Sequence, residues 1–168
     1  MAYCVSRQIP VVVCTTGLSG EQDALLKTSS EKVAVLKSAN MSLGVNTLME
    51  LLQTAAKVLA PAGFDMEIVE KHHNLKVDAP SGTAITLAEG ILENLDRKDR
   101  WVKGTLQAPD GSVSGSAECA TDELPVSSIR EGEVPGIHCI RYDSEADSIT
   151  ITHDAKNRSG FALGAVSV

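Results

Sequence analysis

Two adjacent histidines, a lysine and a turn of small residues lie within the stretch Glu67-Ile-Val-Glu-Lys-His-His-Asn-Leu-Lys-Val-Asp-Ala-Pro-Ser-Gly-Thr-Ala84. His72 and His73 are acid/base groups near neutral pH. Lys76 is an anion contact or a proton donor, because lysine shifts its pKa readily on burial. Ser81 is a candidate helix N-cap, and Gly82 and Thr83 then offer backbone N–H groups and a hydroxyl to an anion. Asp78 and Pro80 shape the turn, while Glu67 and Glu70 either orient a neighbouring histidine or lysine or lie on the surface. The chemistry this combination supports is proton transfer beside a bound carboxylate or phosphate.

The elements that must position these groups are a strand before them and a helix after them. Met66, Ile68 and Glu70 alternate with Glu67 and Val69, which predicts a strand over 64–69. Adjacent strand residues face opposite ways, so His72 and His73 can share one site only if the strand ends there. Gly82 to Leu95 reads as the helix. Upstream, the apolar run 9–14 predicts a strand buried on both faces, as in a parallel sheet. Ser19 caps a short helix over 20–30, and 32–36 is a second buried strand, so the chain opens as a parallel β-α-β unit. After a loop at 38–44, Val45, Leu48, Met49, Leu52, Ala55, Ala56 and Leu59 recur at helical spacing, predicting a helix over 45–60. From Trp101 the character changes. Residues 104–124 read as a long loop, 126–130 as a strand, 137–143 and 148–153 as an antiparallel hairpin, and 161–168 as an apolar helix. Entry directly into a buried-type strand and exit in mid-helix suggest elements lying outside the sequence.

The chain has 168 residues, suiting one ordinary domain or two small ones. It is 43% hydrophobic but only 3% aromatic, so its core must be aliphatic. A formal net charge of −7 argues against a nucleic-acid partner. The four cysteines, Cys4, Cys14, Cys119 and Cys139, are not paired at metal-ligand spacing. Together with His138 and His153 they are too scattered for a zinc site, so no metal is expected. There is no visible signal peptide and no apolar run near the roughly 20 residues that span a membrane. These features point to a soluble cytoplasmic protein. No GxGxxG is present.

The stretch 67–84 closely resembles the signature of the 4-hydroxy-tetrahydrodipicolinate reductase (dihydrodipicolinate reductase) family of lysine and diaminopimelate biosynthesis. Cys14-Thr-Thr-Gly17, Ser38-Ala-Asn-Met-Ser-Leu-Gly-Val-Asn46, the segment from Ser127 to His138, Ile151-Thr-His-Asp-Ala-Lys156 and Phe161-Ala-Leu-Gly-Ala-Val166 extend the resemblance. Only 101–124 has no clear match.

The resemblance implies an α/β plus α+β fold. Residues 1–40 would be the back part of a Rossmann-type dinucleotide-binding domain. Residues 41–168 would form a substrate-binding and tetramerisation domain with an open mixed sheet, through which a homotetramer assembles. It implies an oxidoreductase that uses NADPH or NADH to reduce a small cyclic dicarboxylate, with loss of its hydroxyl as water. His72 would be the proton donor/acceptor, Lys76 a second proton donor, and His73, Gly82 and Thr83 would hold substrate carboxylates. Cys14, Thr15, Thr16 and Ser38, Ala39, Asn40, Met41 match the family's two later cofactor-contacting loops, with Cys14 standing where the family usually has glycine. The family's first cofactor loop would precede residue 1 and its terminal helices would follow residue 168. The alternative is a non-catalytic module that binds dicarboxylates and oligomerises without holding the nucleotide.

Overall fold

A computed structural model describes residues 1–15 and 17–167. The first part comprises α1 (Ala2–Arg7), β1 (Val11–Val13), α2 (Gly20–Ser30) and β2 (Val35–Lys37), with β1 and β2 parallel in the register Val11↔Val35. α2 begins where expected because Ser19 closes a capping box. Its Oγ accepts the Gln22 N–H at 3.3 Å, and the Gln22 side chain accepts the Ser19 N–H at 2.8 Å. Two expectations need correction. The chain does not enter directly into a strand, since α1 precedes β1. The strands are also shorter than predicted and not buried on both faces: Val12 is 39% exposed and Leu36 is 42% exposed. Among the described residues this sheet has two strands, too few to enclose a valine run.

The larger part is a six-stranded mixed sheet in the order β5-β4-β6-β3-β7-β8. Its members are β3 (Asp65–His72), β4 (Arg100–Gln107), β5 (Val113–Ser114), β6 (Glu123–Arg130), β7 (Ile137–Asp143) and β8 (Ser148–Asp154). β3 and β4 run parallel to β6, while β7 is antiparallel to both β3 and β8. One face is covered by α3 (Leu43–Leu59) and α4 (Gly82–Leu92). α3 buries Val45, Leu48, Leu52 and Ala56, the stripe its 3.6-residue period requires. α4 buries Ala84, Leu87, Ala88 and Ile91.

Strand alternation sends Met66, Ile68, Glu70 and His72 of β3 inward, with Leu124, Val126, Ser128 and Arg130 of β6 and His138, Ile140 and Tyr142 of β7. The register sorts them into rows. Met66 faces Tyr142, and Ile68 faces Val126 and Ile140. Glu70 then faces Ser128 and His138, and His72 faces Arg130. The interior is therefore apolar at the start of β3 and β6 and polar at their carboxyl ends. Tyr142 is an exception made harmless by its partner, its hydroxyl donating to the Leu52 carbonyl at 3.2 Å, while burial pushes the phenol up to about 12.

The expected long loop over 104–124 is wrong at both ends. Residues 100–107 form β4 beside β6, and 123–130 form β6. Gly104 looked like a loop residue but serves a close approach: a Cβ there would lie 2.3 Å from Ser127 Oγ. That hydroxyl accepts the Thr105 N–H at 3.1 Å, where the register shifts between Lys103 and Leu106. The β7–β8 hairpin pairs as predicted, with His138 opposite His153. α5 (Ser159–Val166) follows it, and Gly164 lets it press on the 38–42 loop, where a Cβ would lie 1.8 Å from the Met41 carbonyl oxygen. Val168, the end of the expected last helix, lies outside the described residues. No helix among the described residues is long and apolar enough to cross a membrane.

Ile68 is fully buried at the centre of the sheet. Ile68→Ala should cost about 2–5 kcal/mol in urea unfolding, and Val12→Ala should cost less than about 1 kcal/mol. Equal losses would contradict the placement of the core.

Candidate functional site

Glu70 is fully buried at the polar end of the sheet, and each of its oxygens is held twice. Oε2 pairs with His72 Nδ1 and accepts from Arg130 Nη1 at 3.1 Å. Oε1 accepts from Arg130 Nη2 at 2.9 Å and from the Ser81 N–H at 3.2 Å. Burial opposes ionisation of Glu70, but the hydrogen bonds from His72 and Arg130 outweigh it and hold the carboxyl below its ordinary value. An ionised carboxylate only accepts, so His72 carries a hydrogen on Nδ1 and turns Nε2 away from Glu70. Gly136 keeps that side open, since a Cβ there would come within 3.1 Å of His72 Nε2.

Arg130 uses all five of its N–H donors. Besides Glu70 they reach the carbonyls of Lys76 at 3.2 Å, Asp78 at 2.7 Å and Ile129 at 2.9 Å. One guanidinium thus fastens the 73–80 loop to the end of β6. On that loop Lys76 Nζ donates to Asp78 Oδ1 at 2.8 Å. Burial opposes ionisation of Asp78, yet the Lys76 contact prevails and its pKa is lowered.

The loop delivers the chain into α4. Ser81 is the N-cap, its Oγ accepting the Ala84 N–H at 3.1 Å. The same oxygen lies 3.3 Å from Nε2 of His138. The His138 ring meets the His72 ring edge to face with centroids 5.4 Å apart. Burial first, then the neighbouring His72, lowers the His138 pKa to about 3, so its imidazole is neutral.

Asn40, His72, His73, Lys76, Thr83, Gly136, His138 and His153 line one cleft of about 190 Å³, together with Arg158 and Phe161. β3 ends at His72, which meets the condition for both histidines to serve one site. Gly82 opens α4 beside the cleft. Asn40 reaches it from the end of β2, donating from Nδ2 to Thr83 Oγ1 at 3.1 Å. Ser38 Oγ donates to the Asn40 carbonyl at 2.8 Å, Ala39 is exposed, and the Met41 side chain is buried. Cys14 and Thr15 are exposed at the end of β1 and do not line this cleft; Thr16 lies outside the described residues. Glu67 is exposed, leaving Glu70 as the orienting carboxylate. Among the described residues, no group of three or more His, Cys, Asp or Glu is arranged to hold a metal ion.

Sequence reasoning missed Arg130 and His138 as members of this cluster. Their signal was faint: both occupy the inward phase of predicted strands, where a charged or imidazole side chain needs a partner.

Glu70→Gln leaves the Arg130 guanidinium buried without its counter-charge. It should cost about 3–5 kcal/mol in urea unfolding, and adding Arg130→Met should recover much of that loss. His138 supplies a pH test. Its folded pKa of about 3 lies below the ordinary 6.5. Between those values the unfolded chain holds a proton that the folded chain refuses, so stability falls as pH is lowered through that window. From pH 7 to pH 5 this group should remove about 2 kcal/mol. In urea titrations at the two pH values, His138→Gln should shrink the difference, and an unchanged difference would contradict the assignment.

Residues 44–168 match the family described as "Dihydrodipicolinate reductase, C-terminus", and residues 1–41 match "Dihydrodipicolinate reductase, N-terminus". The chain is 39% identical over 166 residues to the 4-hydroxy-tetrahydrodipicolinate reductase of Clostridium tetani, covering 99% of this chain and 62% of that protein. It is 41% identical over 160 residues to the one from Caldanaerobacter subterraneus subsp. tengcongensis, covering 95% of this chain and 60% of that protein. A structure described as dipicolinate-bound dihydrodipicolinate reductase from Paenisporosarcina sp. TG-14 superposes with a TM-score of 0.72 at 28% identity. It covers 98% of this chain and 60% of that one. The chain thus spans about three fifths of the length of these relatives. With family matches on both sides of residues 42–43 and that fold in common, the chain belongs to the dihydrodipicolinate reductase family.

Proposed function

We propose that this chain carries the substrate site of an NADPH- or NADH-dependent reductase acting on 4-hydroxy-tetrahydrodipicolinate, in lysine and diaminopimelate synthesis. The observation that carries the reading is the cleft itself. An imidazole oriented by a buried carboxylate stands beside a lysine and the first turn of α4, with the loop after β2 bonded to that turn.

A dicarboxylate needs donors at two separated points. Gly82 and Thr83 at the start of α4 offer backbone N–H groups and a hydroxyl for one carboxylate. His73 and Lys76 offer side-chain donors for the other. His72, with Nδ1 engaged by Glu70, exchanges a proton through Nε2 on the cleft side. Lys76, held by Asp78, supplies the second proton. Asp78 holds Lys76, a cleft-lining residue, in an ion pair at 2.8 Å.

The nucleotide would be held by the loops that follow β1 and β2, at Cys14, Thr15, Thr16 and Ser38, Ala39, Asn40, Met41. Both loops leave the carboxyl ends of parallel strands, where α/β sheets bind ligands, and the Asn40–Thr83 bond ties the second loop to the dicarboxylate side. When bound, a reduced nicotinamide supplies the hydride. A division into a nucleotide-binding part over 1–40 and a substrate part over 41–168 is supported by the two separate sheets. The half-buried outer face of the large sheet, with Val69, Ile129, Ile137 and Cys139, is the surface we assign to tetramer contacts. The apolar patch these four residues make on an otherwise polar face supports that reading. A cytoplasmic location accords with four free cysteines.

Calorimetry with pyridine-2,6-dicarboxylate, alone and with NADPH, tests both halves of the site. The wild-type chain should bind the dicarboxylate, and Lys76→Ala should weaken binding by about tenfold or more. Where turnover is measured by consumption of reduced nicotinamide, His72→Ala should lower kcat by about a hundredfold or more, with folding little changed. Dicarboxylate affinity unaffected by Lys76→Ala, or kcat unaffected by His72→Ala, would remove these roles.

A further inference from the structure

His138 is 3% exposed and lines the cleft with His72, Lys76 and Thr83, yet only half of its hydrogen-bonding capacity is used. Its Nε2 lies 3.3 Å from Ser81 Oγ. Its Nδ1 is buried and has no hydrogen-bond partner among the described residues. Buried polar atoms without a partner are rare in native folds, and one on a side chain that lines a polar cleft calls for a ligand or a bound water.

We assign the tautomer in which Ser81 is the donor to His138. The Ala84 N–H already donates to Ser81 Oγ, so the hydroxyl hydrogen is free to be donated to His138 Nε2. That leaves the imidazole hydrogen on Nδ1. The unpartnered atom is then a donor, and the chemical class that satisfies it is an acceptor such as a carboxylate oxygen. Because His138 is neutral, it acts as a hydrogen-bond donor rather than as a counter-charge. The register supports the same role. His138 stands opposite Glu70 on β3, one row below His72, so its ring forms part of the floor on which His72 works.

We propose that His138 is a further ligand-binding residue of this cleft, donating from Nδ1 to a carboxylate of the bound dicarboxylate, directly or through one water. It rests on the dicarboxylate reading above but assigns a contact that reading does not use. It also explains why Ser81 does more than cap α4: its hydroxyl sets the tautomer that presents the donor.

The stereochemistry of two amides provides the test. An asparagine amide nitrogen overlays imidazole Nδ1, whereas a glutamine amide nitrogen overlays Nε2. Pyridine-2,6-dicarboxylate affinity is measured by calorimetry for the wild-type chain, His138→Asn and His138→Gln, each checked for a cooperative melt. His138→Gln, which can turn its amide oxygen to accept from the Ser81 hydroxyl but loses the Nδ1 donor, should bind about tenfold more weakly. His138→Asn should stay within about threefold of wild type. Affinity retained by Gln, or lost equally by Asn and Gln, overturns the proposal while leaving the dicarboxylate reading intact. A wild-type chain that binds no dicarboxylate overturns both. Should either variant fail to fold, ¹⁵N NMR of the histidine-labelled wild-type chain decides. Nδ1 of His138 should be the hydrogen-bearing nitrogen and should shift on adding the dicarboxylate. A hydrogen-free Nδ1, or no shift at saturation, overturns the assignment.

Discussion

The site depends on one buried ion pair. Glu70 without Arg130 would be a carboxylate removed from water with only the His72 imidazole and the Ser81 N–H to hold it, a state that proteins avoid by neutralising the acid. With Arg130 in bidentate contact, the charge is tolerated and becomes useful. A buried ion pair is weak evidence of stability, because desolvation offsets most of its attraction. What it provides here is geometry. Through Glu70 it fixes the His72 tautomer and the first N–H of the α4 approach, and through Arg130 it fixes the carbonyls of Lys76 and Asp78. The elements that could otherwise drift independently, the strand end, the loop and the helix start, are joined at these two side chains.

The location of the pair follows from the sheet. β3 and β6 are parallel neighbours, so their carboxyl ends lie together, and the helix that follows β3 must begin near that edge. Inward positions earlier on both strands are filled by Met66, Ile68, Leu124 and Val126, which pack under α3 and α4. At the carboxyl ends the 73–80 loop and the start of α4 meet the sheet, and the same inward phase carries Glu70, His72, Ser128 and Arg130. One alternation therefore makes the core at one end and the site at the other.

Much of this was legible in the sequence where the determinants are local. The strand–loop–helix unit from Asp65 to Leu92, the Ser19 and Ser81 caps, the α3 stripe and the β7–β8 hairpin all follow from spacing and turn chemistry within about fifteen residues. The roles of Arg130 and His138 were not legible by spacing, because they depend on which strands pair and in what register. Arg130 meets Glu70 across 60 positions of sequence, and Ser81 meets His138 across 57. Residues 100–107 were misread for a related reason. Gly104 lowers strand propensity locally, but its value lies in a contact with Ser127 on another strand. The valine run of β1 misled in the opposite sense, since apolar composition fixes a strand but not what covers it.

The charge balance of the cleft explains why the acid had to be buried. The chain carries a net charge of −7, which repels anions at long range. The cleft nevertheless has four imidazoles, Lys76 and Arg158 in its walls and no acidic side chain among its described lining residues. Glu70 stands one layer behind that wall with its charge matched by Arg130. An exposed carboxylate could orient His72 equally well, but it would place a negative charge in the cleft wall, where at a few ångströms it would repel any anion with little screening. Burying the carboxylate and pairing it with arginine separates orientation of the imidazole from the electrostatics felt by the ligand. That separation allows one small site both to hold an imidazole in a fixed orientation and to keep its walls free of negative charge.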